Sequence, residues 1–76
     1  MDPDAWIEQF AAELGVAPPT EAERDALLAL AGVAAHASER RAAPIACWIA
    51  SRAGRDPEAA LAAARALGSR TGAEGS

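Results

Sequence analysis

The chain has 76 residues, a formal net charge of −4 and an apolar fraction of 51%. That length makes one small domain, near the size where a single core only just suffices. The acidic balance argues against a general nucleic-acid binder, which needs a basic face for phosphates, and against docking on anionic lipid.

The first helix is expected to begin at Asp2 as N-cap with Pro3 at its first position, where a missing N–H costs nothing. Trp6, Ile7, Phe10 and Leu14 share one face, and Trp6 and Phe10, one turn apart, are read as core anchors. Gly15 supplies a left-handed C-cap, onto which Val16 can fold back. Ala17-Pro18-Pro19 is then a stiff connector that no helix crosses.

Thr20-Glu21-Ala22-Glu23 is a capping box that opens the second helix, expected over about residues 21–39 or one to two further. Leu27, Leu30, Ala31, Ala34 and Ser38 cover one side of it, with Leu28, Ala35 and Val33 at the flanks. So wide an apolar arc suits a central helix touched by several neighbours. Ala29, Gly32 and His36 form a strip of small residues on the opposite side, where a glycine costs roughly 1 kcal/mol relative to alanine. That strip is a candidate interaction face, open to the backbone of a partner helix.

Pro44 is expected to start the third helix at its first position, after the second has ended near Arg40 or Arg41. Ile45, Trp48 and Ile49 form its apolar face, Cys47 and Ser51 lie opposite, and Gly54 ends it. Asp56-Pro57-Glu58 opens the fourth helix by the same device as Asp2-Pro3. That helix holds Leu61, Ala64 and Leu67, is otherwise mostly alanine, and is expected to close at Gly68. The fold class expected is all-α: a compact bundle of four short helices around a central second helix. Residues 1–68 form the single domain and 69–76 a disordered tail.

Alanine supplies 23 residues and outnumbers all larger apolar side chains together, so helix propensity is high but the core is thin. A thin core asks for help from a partner, either a second copy in a homodimer or a larger protein. All seven basic residues are arginine, a mark of high-GC coding. No apolar run approaches the ~20 residues of a membrane span, and the acidic start Met1-Asp2-Pro3-Asp4 is unlike a signal peptide. The chain is therefore expected to be cytoplasmic, with neither membrane nor nucleic acid among its partners.

One stretch hints at a task. His36, Arg40 and Arg41 gather positive charge where the second helix gives way to the third. A helix N-terminus attracts anions, and an arginine fork adds paired donors for phosphate or carboxylate. These three residues, with the amides near Ile45 and Ala46, make a candidate anion-binding corner. The same residues also read as ordinary helix capping, with Glu39 neutralising an arginine. No second cysteine or histidine completes a metal set with Cys47 and His36. Cys47 sits mid-helix among apolar residues, as structural thiols do. No acid–base pair of carboxylates and no glycine-rich phosphate loop stands out, so neither catalysis nor a cofactor is expected.

Trp6, Leu27-Leu28, Ala35-His36, Arg40, Ala43-Pro44 and Gly54-Arg55 together resemble a small uncharacterised helical domain family of high-GC actinobacteria. Over residues 4–67 the order of these elements is similar; relatives tend to carry a further glycine where this chain has Ala50-Ser51. The resemblance implies association with molybdopterin-guanine dinucleotide biosynthesis, since such domains occur fused to or beside the molybdenum-cofactor guanylyltransferase. The transferase's nucleotide-binding motif is absent here. The resemblance thus implies a non-catalytic accessory domain, holding a phosphate-bearing ligand or serving as a protein–protein module or small subunit. The implied partner is the guanylyltransferase or another molybdenum-cofactor protein.

Overall fold

The computed structural model describes residues 2–75, with residues 70–75 described in backbone alone. Four helices follow one another: α1 (Pro3–Leu14), α2 (Glu21–Ala37), α3 (Ala42–Arg52) and α4 (Pro57–Gly75). The fold is all-α, with no strand among the described residues. Helix α2 is its centre, lying against both α3 and α4, which barely touch each other. The backbone of α1 stands further off and reaches α2 through side chains.

The helix ends follow from local chemistry. Asp2 accepts from the Ala5 amide at 2.9 Å, and Asp56 accepts from the Ala59 amide at the same distance. Thr20 and Glu23 close a reciprocal capping box, at 3.1 Å from the Glu23 amide to the threonine hydroxyl and 2.8 Å from the Thr20 amide to the glutamate. Such caps each stabilise a helix by about 1 kcal/mol. Gly15 and Gly54 take left-handed φ values of +73° and +72°. In both cases the glycine and the residue after it donate back into the last turn, to Ala12 and Ala11 and to Ser51 and Ala50. This satisfies carbonyls that would otherwise be orphaned at a helix end.

Three boundaries differ from expectation. Helix α2 ends at Ala37, with Ser38 as its cap, and α3 already begins at Ala42. Pro44 therefore sits in the third position of α3 rather than the first. The first turn of a helix has no intrahelical partner for its N–H groups, so a proline is tolerated throughout that turn. Helix α4 runs through Gly68 to Gly75, and Gly68 does not adopt the left-handed conformation of a stop. A mid-helix glycine costs only about 1 kcal/mol relative to alanine, too little by itself to end a helix. Met1 and Ser76, the outer ends of the expected domain and tail, lie outside the described residues.

The core is small and made largely of alanine. Among the described residues Ala11, Ala26, Leu30 and Ala60 are the buried apolar ones, and Leu30, only 3% exposed, is the one large side chain of the four. Trp6 and Phe10, expected as core anchors, are instead 56% and 49% exposed. Helix α1 turns Ala11 and half-buried Ile7 inward, which leaves the aromatic side facing out. Helix α3 does the same. Ala43, Ala46, Cys47 and Ala50 are half-buried, while Ile45, Trp48 and Ile49 are more than half exposed. Each of these helices had two apolar faces to offer; on α3 the small one docks, and on α1 the side of Ala11 and Ile7 does. On α3 the alanines let the helix axis draw close to that of α2.

Candidate functional site

At the corner between α2 and α3, His36 lies exposed in the last turn of α2. Arg40 and Arg41 follow in the turn, and both are exposed. The Arg41 Nε donates to the Glu39 carboxylate in an exposed ion pair. The first amides of α3 are also engaged: Ala42 donates to the Glu39 carbonyl at 2.9 Å and Ala43 to the Arg40 carbonyl at 3.1 Å. Pro44 has no N–H, and no side chain caps this end of α3. The surface hollow at the corner is lined by Ser38, Glu39, Arg41, Ala42, Pro44 and Ile45. Arg41 is thus brought beside the start of α3, whereas His36 and Arg40 lie outside the lining of that hollow.

The small-residue strip is open. Ala29 and Gly32 are half-buried and His36 is exposed. A Cβ placed on Gly32 would meet nothing within 4 Å. Among the described residues none makes a close approach to the strip at Gly32.

Cys47 is half-buried on the docked side of α3, and burial pushes its thiol pKa up. A raised pKa means less thiolate near neutrality, the opposite of what a nucleophile needs. Among the described residues no group of three or more His, Cys, Asp or Glu is placed to hold a metal ion.

A further feature is apolar. On α1 the Trp6 and Phe10 rings stack with centroids 5.1 Å apart and planes 20° from parallel, and Leu14 continues the ledge at 61% exposure. Glu8, Gln9 and Glu13, all exposed, edge it with polar and acidic groups. On α3 the row Ile45, Trp48, Ile49 is joined by Arg52, whose guanidinium carbon lies 5.1 Å from the centre of the Trp48 ring. Contiguous apolar surface of this kind is unusual on a monomer and marks interaction sites. The sequence carries a signal for it. Both helices place alanines on a second face, so the large residues were never the only candidates for burial.

One ion pair anchors α1. Arg24 Nη1 lies 2.6 Å from Asp4 Oδ1, and the Arg24 side chain is 29% exposed. The hydrogen bond and charge of Asp4 hold the Arg24 pKa above its ordinary value. The Arg24 Nε is buried without a partner.

Compared with known protein families, residues 2–76 match a domain of unknown function, DUF6457. No curated protein matches the chain, and no solved structure does.

Proposed function

We propose that this chain, which belongs to the DUF6457 family, is a non-catalytic accessory domain that works by docking onto another protein. The observation that carries the reading is the outward display of Trp6, Phe10 and Leu14 on a helix that turns Ala11 and half-buried Ile7 inward. Tryptophan and phenylalanine are the side chains that dominate binding energy when a partner covers them. The acidic edge of the ledge calls for a partner surface that is apolar at its centre and basic at its rim. The open strip at Ala29, Gly32 and His36 adds a place where a partner helix can come close.

The corner of His36, Arg40 and Arg41 supports an anion-binding role less well. Arg41 is already paired with Glu39, and the first amides of α3 are bonded to carbonyls. In the docking reading these arginines serve as secondary contacts to acidic groups.

The resemblance of residues 4–67 to domains found beside the molybdenum-cofactor guanylyltransferase makes that enzyme the first partner to test. Sedimentation of the chain mixed with the guanylyltransferase is expected to show a complex, which Phe10→Glu weakens at least about tenfold, a 1.4 kcal/mol effect. Absence of any complex at about 100 µM, where a Kd near 10⁻⁴ M would register, would sink the assignment of this partner.

A further inference from the structure

We infer that the exposed face of α3 is a self-association surface, on which a second copy of this chain packs its own α3 antiparallel about a two-fold axis. The inference concerns a different helix from the α1 ledge. It rests on the docking reading only in treating exposed apolar faces as interfaces.

Exposure comes first. Ile45, Trp48 and Ile49 are 60%, 59% and 56% exposed, a concentrated apolar row on one short helix.

Charge then selects the partner. Each copy carries a net charge of −4, so two copies repel wherever carboxylates face each other. Helix α1 holds Asp4, Glu8 and Glu13, α2 holds Glu21, Glu23 and Asp25, and α4 holds Glu58 and Glu74. Only α3, from Ala42 to Arg52, has no carboxylate. It is the one helix on which two acidic chains can meet without placing like charges in the seam. Its single ionic group, Arg52, lies over the Trp48 ring at the end of the row.

Spacing then sets the geometry. Ile45, Trp48, Ile49 and Arg52 stand three, one and three residues apart, a stripe that falls on one helix face. The pattern reads the same in both directions, with its midpoint between Trp48 and Ile49. A two-fold axis at that midpoint sets Trp48 against the second copy's Ile49 and Ile45 against the aliphatic stem of the second copy's Arg52. Each contact is thereby made twice, as an isologous interface requires. Trp48 is central, where binding energy concentrates. Helices α1 and α3 do not approach one another, so the α1 ledge stays free for a different partner.

Sedimentation equilibrium of the full chain over roughly 1 to 300 µM brackets the micromolar to submillimolar affinities that a modest interface gives. The expected result is a monomer–dimer equilibrium that Ile49→Glu and, separately, Ile45→Glu shift toward monomer by about tenfold or more, while Phe10→Glu leaves it unchanged. Helicity by circular dichroism checks that each variant is folded; because both sites are exposed, loss of the dimer with helicity retained is the supporting outcome. Trp48 fluorescence in a Trp6→Phe background should shift to the blue on concentration, which tests the surface without an α3 variant. A chain that stays monomeric throughout, or a dimer broken by Phe10→Glu and untouched by both α3 variants, overturns the proposal. So does a monomer whose α3 face is covered only by a different protein. The guanylyltransferase experiment reads the α1 ledge, so either result can fail while the other stands.

Discussion

Asp4 and Arg24 meet at 2.6 Å across the gap between α1 and α2, and theirs is the one ion pair that joins two helices among the described residues. Around it the backbones stay apart, and α1 turns buried Ala11 and half-buried Ile7 inward. Because the folded-state pKa of Arg24 is raised, its contribution is fully present below the ordinary arginine range and lost only as pH climbs beyond the raised value. Everyday buffers do not titrate it from the arginine side.

Asp4→Asn should therefore free α1 selectively. Hydrogen exchange is expected to speed up in residues 5–14 and to leave α2 and α3 unchanged, a local opening rather than a global loss. Added salt should act in the same direction on the native chain, since the pair is partly exposed and screened. Uniform acceleration across all four helices would mean that α1 belongs to the same cooperative unit as the rest.

Leu30→Ala should cost about 2–5 kcal/mol, the range for truncating a buried leucine. Leu30 is the one large side chain buried among the described residues, and a small domain has only about 5 kcal/mol in hand. Chemical denaturation followed by circular dichroism should find a chain at or past its midpoint in water. Leu28→Ala, one helical face away and 67% exposed, should change stability by less than about 0.5 kcal/mol.

The glycines of α2 and of the α3 terminus should respond oppositely to alanine. Gly32→Ala fills open space in an ordinary helical conformation and should raise stability by about 0.5–1 kcal/mol. Gly54→Ala must hold a φ of +72° and should lower it by about 1–2 kcal/mol. Thermal melts of the pair decide the matter.

Cys47 should be alkylated slowly at neutral pH. Its thiol pKa is raised by burial, so thiolate forms only above the ordinary cysteine range, and the rate should climb with pH there. The chain in denaturant should react faster at every pH below that point. Equal rates in the folded and unfolded chain would show that the thiol is not held on the docked side of α3.

Local signals in the sequence were easily read: Asp2, Thr20 and Asp56 as caps, Gly15 and Gly54 as stops, and α2 as the hub. Each cap and stop depends on residues within five positions of one another, and the hub on an apolar arc along a single helix. The docked face was harder to read, because periodicity marks an apolar stripe but does not rank it against an alanine stripe on the same helix. That choice depends on what the opposite helix presents, which only the packed structure contains. Hence Trp6 and Phe10 lie outside where their spacing placed them in the core. At the α2–α3 corner the positive residues are close in sequence, but the early end of α2 at Ala37 leaves Arg40 and Arg41 in a turn rather than on a helical face with His36.

The caps also bear on how the chain reaches this structure. Asp2, Gly15, Thr20, Gly54 and Asp56 hold their bonds through residues only three to five positions away. Three helix starts and two helix ends are thus specified before any distant part of the chain arrives. Folding then becomes the docking of rods already cut to length, with the meeting of α2 and α4 as the longest-range step. Chains whose contacts are this local cross their barrier in microseconds to milliseconds.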